Sequence, residues 1–137
     1  KGENIRDWLH VEDHAEALCT VAEKGEPGRS YLIGGRSERH NIDVVRAVCA
    51  AVDELAPDNS IGPREALIRF VQDRPGHDLR YAIDPSSTET ELGWKPAHSF
   101  EEGLRETVAW YLENRGWWQR VRTGEYRGER LGLGGRV

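Results

Sequence analysis

Short apolar runs alternate with amphipathic stretches along this chain, and that alternation limits its fold more than any other feature. Ile5 to Val11 reads as a strand, with Trp8, Leu9 and Val11 apolar. Asp13 and Glu16 then have capping-box spacing, with Asp13 as the cap, and Val11, Ala15, Leu18 and Ala22 recur on one helical face. Gly25-Glu26-Pro27-Gly28 stops that helix. Ser30 to Ile33 predicts a strand closed by Gly34-Gly35, and Arg36 to His40 a polar loop. A second helix starts near Asn41; Ile42, Val45, Val48, Cys49, Val52 and Leu55 give it a broad apolar face, and Pro57 lies just past its end. A strand over 66–71 and a short run, Tyr81-Ala82-Ile83, flank a polar loop. Asp84-Pro85 predicts a cap and a first helical position, in a short helix ending at Gly93. Ser99 and Glu102 form another capping box, opening a helix through about Asn114 whose inward face carries Leu104, Val108, Tyr111 and Leu112. The order β-α-β-α-β-loop-β-α-α predicts an α/β fold, a small sheet with flanking helices.

Composition narrows the function classes. The 137 residues suffice for one domain with a modest core, and 37% hydrophobic with 31% charged residues suits a soluble globular protein. A net charge of −5 argues against tracking nucleic-acid phosphates, so no nucleic-acid partner is expected. No apolar run is long enough to span a membrane and no signal-peptide pattern occurs, so the expected location is the cytoplasm. Cys19 and Cys49 match no zinc or redox spacing and read as reduced core residues. With no Met, and charged residues running straight into Ile5-Arg6-Asp7-Trp8-Leu9, the chain reads as the inside of a larger protein. Residues 1–126 read as one unit. From Arg115 onward six Arg face two Glu among six Gly; Trp117-Trp118 and Tyr126 predict that the first part docks on an apolar surface, while 127–137 reads as a flexible basic Gly-rich tail.

The densest chemistry lies in Asp73-Arg74-Pro75-Gly76-His77-Asp78-Leu79-Arg80-Tyr81. Pro75 fixes its own φ and extends Arg74, and Gly76 supplies a turn position. The result is a rigid polar loop. Two arginines near a turn suit a diphosphate or a carboxylate, which guanidinium binds in bidentate fashion. A solvated loop whose arginines and aspartates neutralise one another fits the same residues. His10, Glu12, Asp13 and His14 crowd together, but their spacing is poor for a metal and Asp13 is better used as a cap, so no metal ligand is assigned. Asn41 is a good helix cap, and Arg6 a surface ion-pair partner unless it faces a cleft. There is no G-x-S-x-G, no G-x-G-x-x-G followed by a helix, and no Tyr-x-x-x-Lys. No catalytic residue and no cofactor-binding residue is therefore assigned within the chain.

Several stretches, taken together, resemble a known family. Ile5-Arg6-Asp7-Trp8-Leu9-His10-Val11-Glu12-Asp13-His14-Ala15, then Tyr31-Leu32-Ile33-Gly34-Gly35 and Asn41-Ile42-Asp43-Val44-Val45, resemble extended short-chain dehydrogenases acting on nucleotide sugars. Asp73 to Asp78, Arg80 to Asp84, Leu92-Gly93-Trp94-Lys95-Pro96 and Thr107-Val108-Ala109-Trp110-Tyr111 are similar to the dTDP-glucose 4,6-dehydratase group within it. The resemblance covers about residues 2 to 126. It implies the C-terminal substrate-binding portion of an extended short-chain dehydrogenase, with the NAD-binding Rossmann core largely absent. It further implies hydride transfer from C4 of the glucose to NAD, loss of water across C5–C6 and return of the hydride to C6. NAD, the Tyr-x-x-x-Lys pair and the elimination residues would belong to a part of the protein upstream of this chain, which alone would be inactive. The full-length protein would be a homodimer acting on a dTDP-sugar. Carried over by motif, Arg6 would face the diphosphate or nucleoside and Asn41 the nucleotide. Asp73, Arg74, Pro75, Gly76 and His77 would wrap the diphosphate, with Arg74 its main counter-charge. A UDP-sugar epimerase, or a non-catalytic nucleotide-sugar-binding module, remains an alternative.

Overall fold

The computed structural model describes residues 2–123. At its centre β1 (Ile5–Asp7) pairs antiparallel with β2 (Glu38–His40), Ile5 opposite His40 and Asp7 opposite Glu38. The other edge of β1 is used once: Ile5 N–H donates to the Leu79 carbonyl at 2.7 Å, and Tyr81 N–H donates to the Ile5 carbonyl at 3.1 Å, a parallel bridge to Arg80. The Arg80 guanidinium then forks onto Glu38 at 2.6 and 2.8 Å, tying the third segment to the second across the first.

Five helices surround this ladder among the described residues: α1 (Val11–Lys24), α2 (Asn41–Leu55), α3 (Ser86–Leu92), α4 (Phe100–Glu113) and α5 (Arg115–Arg122). α2 packs on α4, α1 on α3, and α5 folds back on α4. The core is small: Ala17, Val44, Leu92, Trp94 and Val108 are the buried apolar side chains. In α5, Trp117 stacks edge-on against Trp110 at 5.2 Å and Trp118 Nε1 donates to the Tyr111 carbonyl, so the start of the Arg-rich segment does dock. Tyr126 and the proposed tail, 127–137, lie outside the described residues.

Local chemistry accounts for the boundaries. Ser99 caps α4 with a complete capping box: Glu102 N–H donates to Ser99 Oγ at 3.2 Å and Ser99 N–H donates to Glu102 Oε2 at 3.1 Å. Gly93, at φ 70°, ends α3. Ser99→Ala is expected to cost about 1 kcal/mol, read as a lower urea midpoint at unchanged slope.

The expected strands differ from those observed. Only Ile5–Asp7 of the run from 5 to 11 is strand. Segment 30–33 is not strand, and the strand on that side is Glu38–His40, inside the expected polar loop. A strand needs a partner for its ladder. The Asp7 carboxylate accepts from Gly35 N–H and Ser37 N–H, both at 2.7 Å, and so fixes the later residues beside β1. Over 66–71 the chain begins instead as a 3₁₀ turn, Arg64–Leu67. Asp53 holds its start, accepting from Arg64 N–H at 3.1 Å and from the Arg64 guanidinium at 2.9 Å.

Caps and faces shift as well. His10 is the N-cap of α1 and His40 that of α2, so Asp13 and Asn41 are helical residues rather than caps. The Asp13 side chain turns inward, 2% exposed, beside Ala17; Val11 and Leu18 of the expected apolar face are exposed. Pro85 takes the cap position of α3, while the Asp84 carboxylate, one residue earlier, accepts from Ser86 N–H at 3.0 Å. Cys19 is exposed rather than core, Cys49 is half-buried, and Tyr111 of the expected inward face of α4 is 48% exposed.

Candidate functional site

The period of two in β1 puts Asn4 and Arg6 on one side of the strand, in line with Gly2. All three line an open cleft of about 390 Å³. Its other walls are Asn41, Ile42 and Val45 at the start of α2, and the segment from Ile68 to Arg74 with His77. Arg6, Asn41, Asp73, Arg74 and His77, far apart in sequence, therefore face one space. Pro75 and Gly76 do not line it. They form the turn that returns the chain: His77 N–H donates to the Arg74 carbonyl at 3.3 Å, and Gly76 sits at φ 69° in the Pro-Gly order of a type II turn.

A chain of hydrogen bonds fastens this turn to β1. Asp73 Oδ1 accepts from Arg74 N–H and from His77 Nδ1–H, each at 2.7 Å. With Nδ1 donating, His77 Nε2 is free to accept, and Arg6 Nη2 donates to it at 2.8 Å. Arg6 also donates to the carbonyls of Ile5 and Asp78 and lies 4.3 Å over the Tyr81 ring. Asn4 Nδ2 donates to Asp73 Oδ2 at 3.4 Å and to the Asp78 carbonyl at 3.2 Å. The His77 side chain first, and the Arg74 amide next, hold the Asp73 carboxyl below the usual range. Tyr81 donates its hydroxyl to Asp78, and that bond pushes its pKa up.

The charge accounting separates the two sequence readings of this loop. Asp73 is engaged by His77 and Asn4, Asp78 by Tyr81, and Arg80 by Glu38. The Arg74 guanidinium makes no ion pair or hydrogen bond with the described residues, so the loop does not neutralise itself. Arg6 is the scaffold, with Nε–H and one Nη1–H left over from its bonds to the described residues. Chemically the cleft offers a free fork on one rim, an amide from Asn41 on another, and an apolar wall of Ile42, Val45, Phe70 and Val71. That suits a flat or apolar group joined to an anion. Sequence reasoning missed Asn4 and Tyr81. Asn4 could have been found from its spacing of two from Arg6, whereas the stacking of Tyr81 on Arg6 needs the β1 bridge to Arg80.

The crowd at 10–14 resolves differently. The Asp13 carboxylate accepts from His98 N–H at 3.1 Å and from His98 Nδ1–H at 2.8 Å. Burial opposes its ionisation, but the His98 bonds prevail and lower its pKa, while the same bond raises that of His98. His10 and Glu12 stand beside His98; His14 is exposed.

Among the described residues no glycine-rich turn joins a strand to a helix, and none is fitted to cradle a dinucleotide. No helix among them is long and apolar enough to cross a membrane.

Residues 1–107 match the family model described as GDP-mannose 4,6 dehydratase. A dTDP-glucose 4,6-dehydratase of Escherichia coli is 59% identical over 134 residues, 96% of this chain and 37% of that protein. The chain thus spans little more than a third of the curated relatives it matches. The solved dTDP-glucose 4,6-dehydratase of Bacillus anthracis in complex with NAD superposes with a TM-score of 0.75 at 40% identity, covering 88% of this chain and 35% of that one. DesIV, a dTDP-glucose 4,6-dehydratase of Streptomyces venezuelae with NAD and TYD bound, gives 0.73 at 40% identity over the same shares.

Proposed function

The chain belongs to the GDP-mannose 4,6 dehydratase family, and from that membership and the cleft we propose that the intact protein is a nucleotide-sugar dehydratase converting dTDP-glucose to dTDP-4-keto-6-deoxyglucose. Within it this chain corresponds to a C-terminal part of an extended short-chain dehydrogenase and supplies the grip on the substrate. The observation that carries this reading is the Arg74 guanidinium, without a partner among the described residues, on a braced turn facing the same cleft as Arg6 and Asn41.

The roles follow from what each side chain has to spare. Arg74 forks onto the diphosphate. Arg6 holds His77 and turns its remaining donors to the same anion or to the nucleoside beside it. Asp73 and His77 hold the turn rigid, which lowers the ordering cost of binding. Pro75 and Gly76 set its shape. Asn41, released from capping, offers its amide to the nucleotide, and the apolar wall takes the flat base. The NAD seen in the solved relatives is assigned to no residue of this chain, and no role above passes through it. The homodimer implied by the resemblance forms part of the same proposal.

The intact protein is expected to form a 4-keto sugar from dTDP-glucose, and the 137-residue chain alone to form none. Competition among dTDP-, UDP-, GDP- and CDP-glucose for the intact protein reads the base preference. Equal affinity for all four would sink the thymidine assignment, and turnover by the isolated chain would sink the division of labour.

A further inference from the structure

The His10–His98 contact lies outside the cleft just described and serves none of its roles. The two imidazoles meet with ring centroids 4.2 Å apart. His10 is the N-cap residue of α1, and His98 directly precedes the Ser99 cap of α4. Glu12 stands in the first turn of α1, and the nitrogen and oxygen donor atoms of the three side chains lie within 4.8 Å of one another.

Two independent features set this cluster apart from a chance crowd. The first is orientation. The buried Asp13 carboxylate takes His98 Nδ1–H at 2.8 Å and the His98 backbone N–H at 3.1 Å. That fixes the ring and leaves Nε2, 3.4 Å from Glu106 Oε2, as the nitrogen that can turn to a metal, the carboxylate–histidine pairing that aims imidazoles at metal ions. The second is an unused atom: His10 Nδ1 is buried with no hydrogen-bond partner among the described residues. A buried ring nitrogen left unsatisfied is costly, and a ligand would remove that cost. Gly103 permits the arrangement, since a Cβ there would meet the His10 ring at 3.2 Å.

We propose that His10, Glu12 and His98 form a zinc-binding site that staples the start of α1 to the start of α4. Two imidazoles and one carboxylate are a zinc ligand set, with the fourth position left to water. Tetrahedral ligands about 2.1 Å from zinc stand about 3.4 Å apart, so side-chain rotations of roughly an ångström close the site. Glu106, whose Oε2 is 3.4 Å from His98 Nε2, lies where it can accept from the bound water. Two helix N-termini direct partial positive charge here, which opposes a cation. The full negative charges of Glu12, Asp13 and Glu106 outweigh it. The cluster lines an open cleft of about 590 Å³, which gives a hydrated ion its path in.

The test is zinc titration of the intact protein, stripped with EDTA, against a chromophoric chelator. One equivalent should bind, and millimolar Mg²⁺ should not compete, since it prefers oxygen ligands and water. Glu12→Gln, at an exposed side chain that leaves folding intact, should weaken binding by at least about tenfold. His10→Phe, which keeps an aromatic ring against His98, should abolish it while circular dichroism stays native. Absence of zinc binding, or an affinity unchanged in Glu12→Gln, overturns the proposal. Neither result bears on sugar turnover, so the site and the dehydratase reading stand or fall separately.

Discussion

In the intact protein, Arg74→Ala is expected to raise KM for dTDP-glucose by roughly 30- to 150-fold, equivalent to about 2–3 kcal/mol, the range of a hydrogen bond to a charged group. The magnitude rests on two observations. The guanidinium has no partner among the described residues, so its removal orphans none of their groups and the loss falls on the ligand. Its backbone is already fixed, with the Arg74 amide on Asp73 and the Arg74 carbonyl on His77. Little ordering entropy then offsets the contact it makes. Arg74→Lys should also impair, because an ammonium restores charge without the planar fork. Steady-state kinetics on the three proteins decide it. An unchanged KM in Arg74→Ala removes Arg74 from the substrate site, whereas a fall in kcat alone would give it a role confined to the transition state.

The helices and the convergence of the cleft were legible in the sequence for different reasons. The Ser99–Glu102 box and Gly93 are local chemistry, complete within four residues, and both hold. Arg6, Asn41, Asp73, Arg74 and His77 share one cleft, a long-range fact that composition and spacing could not supply; the family resemblance supplied it. The strands were illegible because their partners decide them. Ser30-Tyr31-Leu32-Ile33 has the residue types of a strand but no ladder here, while Glu38–His40, polar and unpromising, is a strand because β1 lies beside it. Asp13 shows the same limit. Capping-box spacing is a local signal, but a histidine 85 positions away captures the carboxylate and turns it inward. The apolar face of α1 rotates with it and leaves Val11 and Leu18 exposed. Asn41 moved from cap to first helical residue because His40 pairs with Ile5 in the ladder and so enters the helix in an extended conformation.

Asp13 is accordingly where a single polar substitution should damage the fold. Its carboxylate is 2% exposed and accepts two bonds from His98, one from the backbone and one from the ring. Asp13→Ala removes both acceptors at once and leaves the half-buried His98 amide and ring N–H without their partner, beside a void where the carboxylate was. Losing a part-buried charge-assisted pair from one side costs on the order of 2 kcal/mol. Asp13→Asn is nearly the same size and keeps one carbonyl oxygen, so it should recover roughly half of that loss. Urea unfolding of the intact protein, with EDTA present throughout, isolates this contribution from any bound metal. The double substitution Asp13→Ala with His98→Ala then closes a thermodynamic cycle. If the pair joins α1 to α4 as the geometry indicates, the double variant loses much less than the sum of the singles. Strictly additive losses would mean that Asp13 stabilises α1 alone and that His98 is a bystander.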